Sequence, residues 1–159
     1  MPKLSRIHFS SKKDEWETPQ GFFDALNKEF NFTLDAAATR SNAKCNRFLC
    51  AGSLDLDWAS IAKCQTDGHT GAVWLNPPYG RQIGRWLAKA QTTAKQGTTV
   101  VCLLPARTDT KWWHEYVWDG RRHRPYKGVE VRLIQGRLKF GGNKDPAPFP
   151  SVVVVFRGQ

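Results

Sequence analysis

The stretch that most restricts this chain runs from Thr98 to Leu104. It reads Thr-Thr-Val-Val-Cys-Leu-Leu and is stopped by Pro105. A near-continuous apolar run of this length suits a central parallel strand, because both of its faces need a covering layer. The segment ahead of it, about Gln82 to Lys95, supplies such a layer. Ile83, Trp86, Leu87, Ala90 and Ala94 recur on one helical face, and Gly97 is the expected terminator. Strand–helix–strand alternation of this kind implies an α/β sheet with helices on its faces.

The remaining elements follow the same logic. Phe22, Leu26 and Phe30 predict a helix over Pro19 to Phe30, with Thr18 as N-cap and Pro19 as first helical residue. Asn31 to Leu34 reads as a short strand ending at Asp35, and Arg47 to Leu49 as a weaker one. Ala72 to Leu75 is a buried strand. A third helix is expected over Asp109 to Trp118, with Trp112 and Trp113 as core packing, followed by a basic loop over 119–128. Val129 to Gln135 and Ser151 to Phe156 read as the last strands.

The strand at Ala72 to Leu75 runs straight into Asn76-Pro77-Pro78-Tyr79-Gly80. Two prolines cannot continue a ladder, so the chain turns there. In open α/β sheets ligands bind beyond the carboxyl ends of the strands, which makes this corner a candidate site. Its residue types fit a planar amine. The Asn76 side-chain oxygen can accept one amino hydrogen and the Pro77 carbonyl the other, with Pro78 fixing the direction and Tyr79 offering a flat face for an extruded base. The lone pair of an aromatic amine is delocalised into its ring. Two acceptors aimed at its hydrogens favour a more tetrahedral nitrogen and stabilise the charge that builds on it, without a strong general base. The plainer alternative is a proline turn after a strand.

Charge narrows the partner. The chain carries a net +10 over 159 residues. So large an excess points to a polyanion, since phosphate contacts release counterions. Residues 1–13, with Lys3, Arg6, Lys12 and Lys13, read as a flexible basic arm, and 14–159 as one domain. The loop carrying Arg121, Arg122, Arg124 and Lys127 reads as a clamp on a nucleic-acid backbone, or else as a solvated loop. Arg107 reads as a phosphate contact, or as the partner of Asp109. No run of eighteen apolar residues is present, so no membrane span is expected. The N-terminus lacks a signal-peptide core, and a cytoplasmic protein is expected. Cys45, Cys50, Cys64 and His69 are spaced too loosely for a usual zinc site, so free thiols and no metal are expected.

Five stretches in order complete the pattern: Asp14-Glu-Trp16-Glu-Thr18-Pro19, Leu34-Asp35-Ala-Ala-Ala38, Trp74-Leu-Asn76-Pro-Pro-Tyr79-Gly80, Leu103-Leu-Pro105-Ala-Arg107-Thr-Asp109-Thr, and Gly136-Arg137-Leu-Lys139-Phe140-Gly-Gly142 with Ala147-Pro-Phe149-Pro-Ser151. In these the chain resembles the bacteriophage-type DNA adenine-N6 methyltransferases (Dam). The resemblance covers roughly residues 14 to 156. It implies S-adenosylmethionine as cofactor, DNA as partner, and a compact Rossmann-like methyltransferase sheet. That sheet would be mostly parallel with an antiparallel C-terminal strand, helices on both faces and no separate target-recognition domain.

By the same resemblance Asp35 faces the methionine amino group of the cofactor, with Ala36 beside it. Thr18 and Pro19 hold its carboxylate, and Trp16 and Asn76 also border the cofactor. Asp57, with Asp55 second, is expected at the ribose hydroxyls or the adenine amino group of the cofactor, or else is a solvated loop acid. Lys139 and Lys144 join the DNA-binding set, on a segment that either closes over the base or simply connects two strands. Two departures stand out: alanines replace the usual glycines after Asp35, and the stretch between Asp35 and Asn76 is short. Methylation of RNA or of protein glutamine, and a non-catalytic DNA-binding module, are the rival readings. Recognition sequence, protection of DNA from restriction and oligomeric state, monomer or homodimer, are not written in the residues.

Overall fold

The computed structural model describes residues 16–63 and 71–159. The expected basic arm, and Cys64 and His69, lie outside the described residues. A five-stranded sheet forms the centre, built from β1 (Phe32–Asp35), β2 (Ala72–Leu75), β3 (Val100–Pro105), β6 (Val129–Leu133) and β7 (Ser151–Phe156). Its order is β1-β2-β3-β7-β6. The first three strands are mutually parallel, and β7 runs antiparallel to both β3 and β6. The sheet is therefore mixed and mostly parallel, with the antiparallel strand inserted between β3 and β6. Every residue of β2, β3 and β7 is buried.

Helix α1 (Gln20–Phe30) packs on one face. Its Phe23 meets Phe32 at 5.3 Å and Trp74 at 5.4 Å between ring centroids. The helix ends at Asn31, in the left-handed region at φ 53°, and the Asn27 side chain accepts from the amide of Phe32. That bond leads the helix directly into β1. Helices α2 (Trp58–Ala62) and α3 (Ile83–Lys95) pack together on the other face, where Trp58 stacks on Trp86 at 6.1 Å. Trp58 is fully buried because its indole N–H has a partner, the Ser53 carbonyl at 2.9 Å. Gly97, at φ 94°, stops α3 as expected, its amide donating to Ala94.

Four expectations need correction. The third helix does not span Asp109 to Trp118. Only Lys111 to Val117 is helical, and Trp113–Val117 winds as a π-helix. The Thr110 hydroxyl donates to the Arg107 carbonyl and keeps residues 107–110 in a turn, while Trp112 and Tyr116 lie against Gly84 of α3. Trp118 already belongs to a hairpin, β4 (Trp118–Asp119) with β5 (Arg124–Pro125), that occupies the expected loop. The strand at Arg47 to Leu49 is a single bridge, Asp35 to Phe48. Thr18 is not the N-cap of α1; Pro19 holds that position, and no side chain caps the helix.

Candidate active site

At the carboxyl ends of β1 and β2 the chain leaves the sheet twice, after Asp35 and after Leu75. A cavity of about 480 Å³ opens between these exits. Trp16, Glu17 and Thr18 form one wall, Ala37 to Thr39 with Asn42 and Lys44 a second, Leu49 to Ala51 a third. Asn76, Pro77 and Pro78 close it, with Trp86 of α3 beside them. This volume falls in the usual range for a cofactor-sized ligand, roughly 300–1,000 Å³.

Asn76 is the junction of two walls. Its amide nitrogen donates to the Trp16 carbonyl and to the Thr18 hydroxyl, the latter at 3.0 Å. A carbonyl can only accept, so the nitrogen must be the atom facing Trp16, and this fixes which way the amide points. The other atom, Asn76 Oδ1, is buried and has no hydrogen-bond partner among the described residues. A buried acceptor left unpaired costs about 1–3 kcal/mol, so it is retained where something else supplies the donor.

Asp35 sits across the cavity and is 2% exposed. One carboxylate oxygen accepts from the Lys44 amide at 3.0 Å and the other from the Ala37 amide at 3.3 Å. Burial raises its pKa above the ordinary carboxylate range, against the pull of these two amides and of the Lys44 charge. The Lys44 ammonium itself turns to Gln20, at 3.1 Å, and to Glu17, at 3.9 Å. The acid in the cavity thus keeps capacity for an incoming cation.

Tyr79 does not present the expected open face. It is 4% exposed, and its hydroxyl donates to the Leu103 carbonyl at 3.0 Å. Phe149 and Phe140 meet its ring edge-on at 5.7 Å and 6.4 Å, and both also pack on Trp16. Burial raises the phenol's pKa well above its usual value. The segment carrying these two phenylalanines is docked on the cavity rim, since the Gly141 amide donates to the Glu17 carbonyl at 2.9 Å.

Of the residues singled out in the sequence, Trp16, Thr18, Asp35, Asn76, Pro77 and Pro78 line this one cavity. Ala36 is fully buried behind Asp35, and Pro19 caps α1 without lining it. Asp57 and Asp55 are not in the cavity. Asp57 caps α2, accepting from the Ser60 amide at 3.2 Å and hydroxyl at 2.7 Å, and Asp55 is exposed on a 3-10 turn. The bonds from Ser60 hold the Asp57 carboxyl below its usual pKa. Arg107 is exposed beyond β3, on the same edge of the sheet as Asn76, with its guanidinium 5.9 Å from the Phe149 ring. It forms no ion pair with Asp109, both being described residues. Arg121, Arg122 and Arg124 belong to the β4–β5 hairpin and its turn, where Asp119 accepts from the amides of Arg121 and Arg122. Lys127 follows that hairpin. Lys139 and Lys144 are exposed on the segment before β7, and none of these basic residues lines the cavity.

Sequence reasoning missed Lys44, Asn42 and Trp86. The first two lie in a polar loop with no periodicity, and nothing local marks them. Trp86 carried a signal, as an aromatic on the first turn of the helix that follows the proline corner. Among the described residues no cluster of side chains has metal-ligand geometry, and no helix is long and apolar enough to cross a membrane.

A family model described as DNA N-6-adenine-methyltransferase (Dam) matches residues 6–157. A DNA N-6-adenine-methyltransferase of Haemophilus phage HP1 is 32% identical over 155 residues, covering 92% of this chain and 80% of the relative. A DNA N-6-adenine-methyltransferase of Escherichia phage T1 is 31% identical over 106 residues, covering 65% of this chain and 40% of that longer relative.

Proposed function

Because the chain belongs to the DNA N-6-adenine-methyltransferase (Dam) family, we propose that its cavity binds S-adenosylmethionine and that the Asn76 corner receives the exocyclic amino group of an adenine in DNA. The observation that carries this reading is the buried, unpartnered Oδ1 of Asn76 on the cavity wall. An acceptor held there by bonds on its nitrogen side is poised for an amino hydrogen.

The residues present fit the cofactor. The buried Asp35 carboxylate offers a partner for an ammonium, and Trp86 an apolar wall for a flat base. Thr18, on the cavity wall, has a hydroxyl hydrogen to offer a carboxylate while its oxygen accepts from Asn76. Asn42 and Thr39 replace Asp57 and Asp55 as the polar groups available to ribose hydroxyls. When bound, the cofactor supplies an electrophilic methyl group on its sulfonium. Asn76 Oδ1 accepts one amino hydrogen of the adenine and the Pro77 carbonyl the other. Both dipoles then face the nitrogen where positive charge builds, and neither must reorganise as it does. Tyr79 anchors the corner to β3 through Leu103. Phe140 and Phe149 cover its ring, so an extruded base that stacks on Tyr79 must first displace this aromatic cover. The strand order, with β7 reversed inside an otherwise parallel sheet, supports a Rossmann-like methyltransferase fold, and the phage origin of the relatives supports work in the host cytoplasm.

Purified protein with labelled cofactor and unmethylated DNA should yield labelled N6-methyladenine. Transfer to RNA or protein glutamine alone would overturn the substrate assignment. The hairpin arginines and Lys127, with Arg107, Lys139 and Lys144, are assigned to the DNA backbone. Neutralising Arg121, Arg122 and Arg124 together should weaken DNA binding and lower the slope of log K against log salt by about 0.9 for each phosphate that is no longer neutralised. Binding titrations at several salt concentrations read this directly, and an unchanged slope removes the hairpin from the interface.

A further inference from the structure

Strand β6 forms one edge of the sheet, and among the described residues it pairs only with β7. The direction of its free groups follows from one bond. The Arg157 amide donates to the Gly128 carbonyl, which makes 128 and 157 a hydrogen-bonded pair one step before Val129 and Phe156. Pairs alternate along an antiparallel ladder, so Glu130 and Arg132 turn their backbone groups to β7, and Val129, Val131 and Leu133 turn theirs outward. Among the described residues only the Val129 amide of this outward set has a partner, the Tyr126 carbonyl. Leu133 is 84% exposed, which is unusual for a leucine on a sheet.

The sequence of this edge, Val129-Glu130-Val131-Arg132-Leu133, has apolar residues at both ends and the centre, with one acid and one base placed symmetrically between them. We propose that β6 pairs antiparallel with β6 of a second copy of this chain, centred on Val131. In that register Val131 exchanges both backbone bonds with its counterpart, and each Leu133 amide donates to the Val129 carbonyl of the other copy. Glu130 faces Arg132 across the axis, twice. Shifting the centre to Glu130 or to Arg132 sets like charges opposite each other, so the charges select one register. Within one chain Arg132 already bonds Glu130 at 2.5 Å and Glu29 at 2.6 Å, and Arg157 bonds Glu130 at 2.5 Å; Glu130 and Arg132 stay 37% and 31% exposed, so the pairing extends this network across the axis. The contact is self-complementary, as a two-fold interface must be, and it removes a bare edge of a kind that otherwise invites uncontrolled pairing. Because β6 runs parallel to β1, β2 and β3, the pairing inverts the partner. The two cavities then open on opposite edges of one ten-stranded sheet. This inference is independent of the catalytic assignment.

Sedimentation or light scattering on the full chain should give a mass of twice 18.0 kDa. Val131→Pro, which removes the central donor, should return a monomer with unchanged far-UV circular dichroism. Glu130→Arg and Arg132→Glu each set like charges across the axis and should each be monomeric, yet mixing the two should restore the dimer through opposite charges. This rescue keeps the test valid should Val131→Pro fail to fold. A chain that stays monomeric to millimolar concentration, including one whose Val131 amide is shielded from exchange by residues 1–15, overturns the proposal. So does a dimer that survives all three substitutions, or a mixture that does not re-form it.

Discussion

Asn76→Ala should lower the rate constant for methyl transfer by about 10²–10³-fold or more, the usual loss when one preorganised dipole is removed from a developing charge. The same substitution deletes the amide that holds the Trp16 carbonyl and the Thr18 hydroxyl. Trp16 and Thr18 line the cofactor side of the cavity, so a smaller weakening of cofactor binding should accompany the rate loss, along with about 1–3 kcal/mol of stability for the orphaned carbonyl. Thr18→Val separates the two roles. It removes one acceptor from the Asn76 nitrogen but leaves Oδ1 in place, and it should cost far less in turnover. Single-turnover transfer and calorimetric cofactor binding on the three proteins decide the matter. Turnover of Asn76→Ala within tenfold of the parent would show that Oδ1 does not meet the amino group.

Asp35→Asn should weaken cofactor binding by about 10- to 150-fold, the worth of one hydrogen bond to a charged group at about 1.5–3 kcal/mol. It also places an NH₂ against one of two backbone donors, Lys44 or Ala37, so part of the loss is structural. The pH dependence distinguishes charge from packing. Burial raises the Asp35 pKa in the folded protein. A carboxylate serves an ammonium only when ionised, so affinity should fall tenfold per pH unit below that raised pKa, and binding there should release a proton. Stability of the cofactor-free protein runs the other way. Between the ordinary and the raised value the folded state holds more protons than the unfolded one, so this contribution is complete at low pH and lost as pH rises through the folded pKa. The asparagine variant should show neither slope. Titrations in two buffers of different ionisation enthalpy measure the proton release, and its absence in the parent protein would sever Asp35 from the ligand's cation.

The elements that could be read in the sequence are those whose determinants are local. Ser151–Phe156 and Ala72–Leu75 fall where their apolar runs put them, and α1 and α3 begin one residue from their expected starts. The turn at Asn76 was legible because two prolines cannot continue a ladder, and the corner falls on the cavity wall at the strand tip. What failed depends on distant partners. Thr18 looks like a cap, but its hydroxyl is engaged by Asn76, far along the chain. Tyr79 looks like a stacking platform until Phe140 and Phe149 cover it. Asp57 was a readable miss: an acid three residues before Ser60, leading into Trp58 and Ile61, is a helix start, and that local role claims the carboxylate. The π-wound segment has no counterpart in the apolar spacing of its residues, and it packs against α3 around Gly84.

The place of β7 bears on how the molecule is made. It is the last strand of the sheet to leave the ribosome, yet it lies between two strands synthesised earlier. Until it emerges, β3 has an open flank and β6 has no neighbour. The nascent chain therefore cannot close its core from the N-terminus onward. It must keep a sticky vacancy until translation of this region ends, which makes the growing polypeptide a natural client for chaperones.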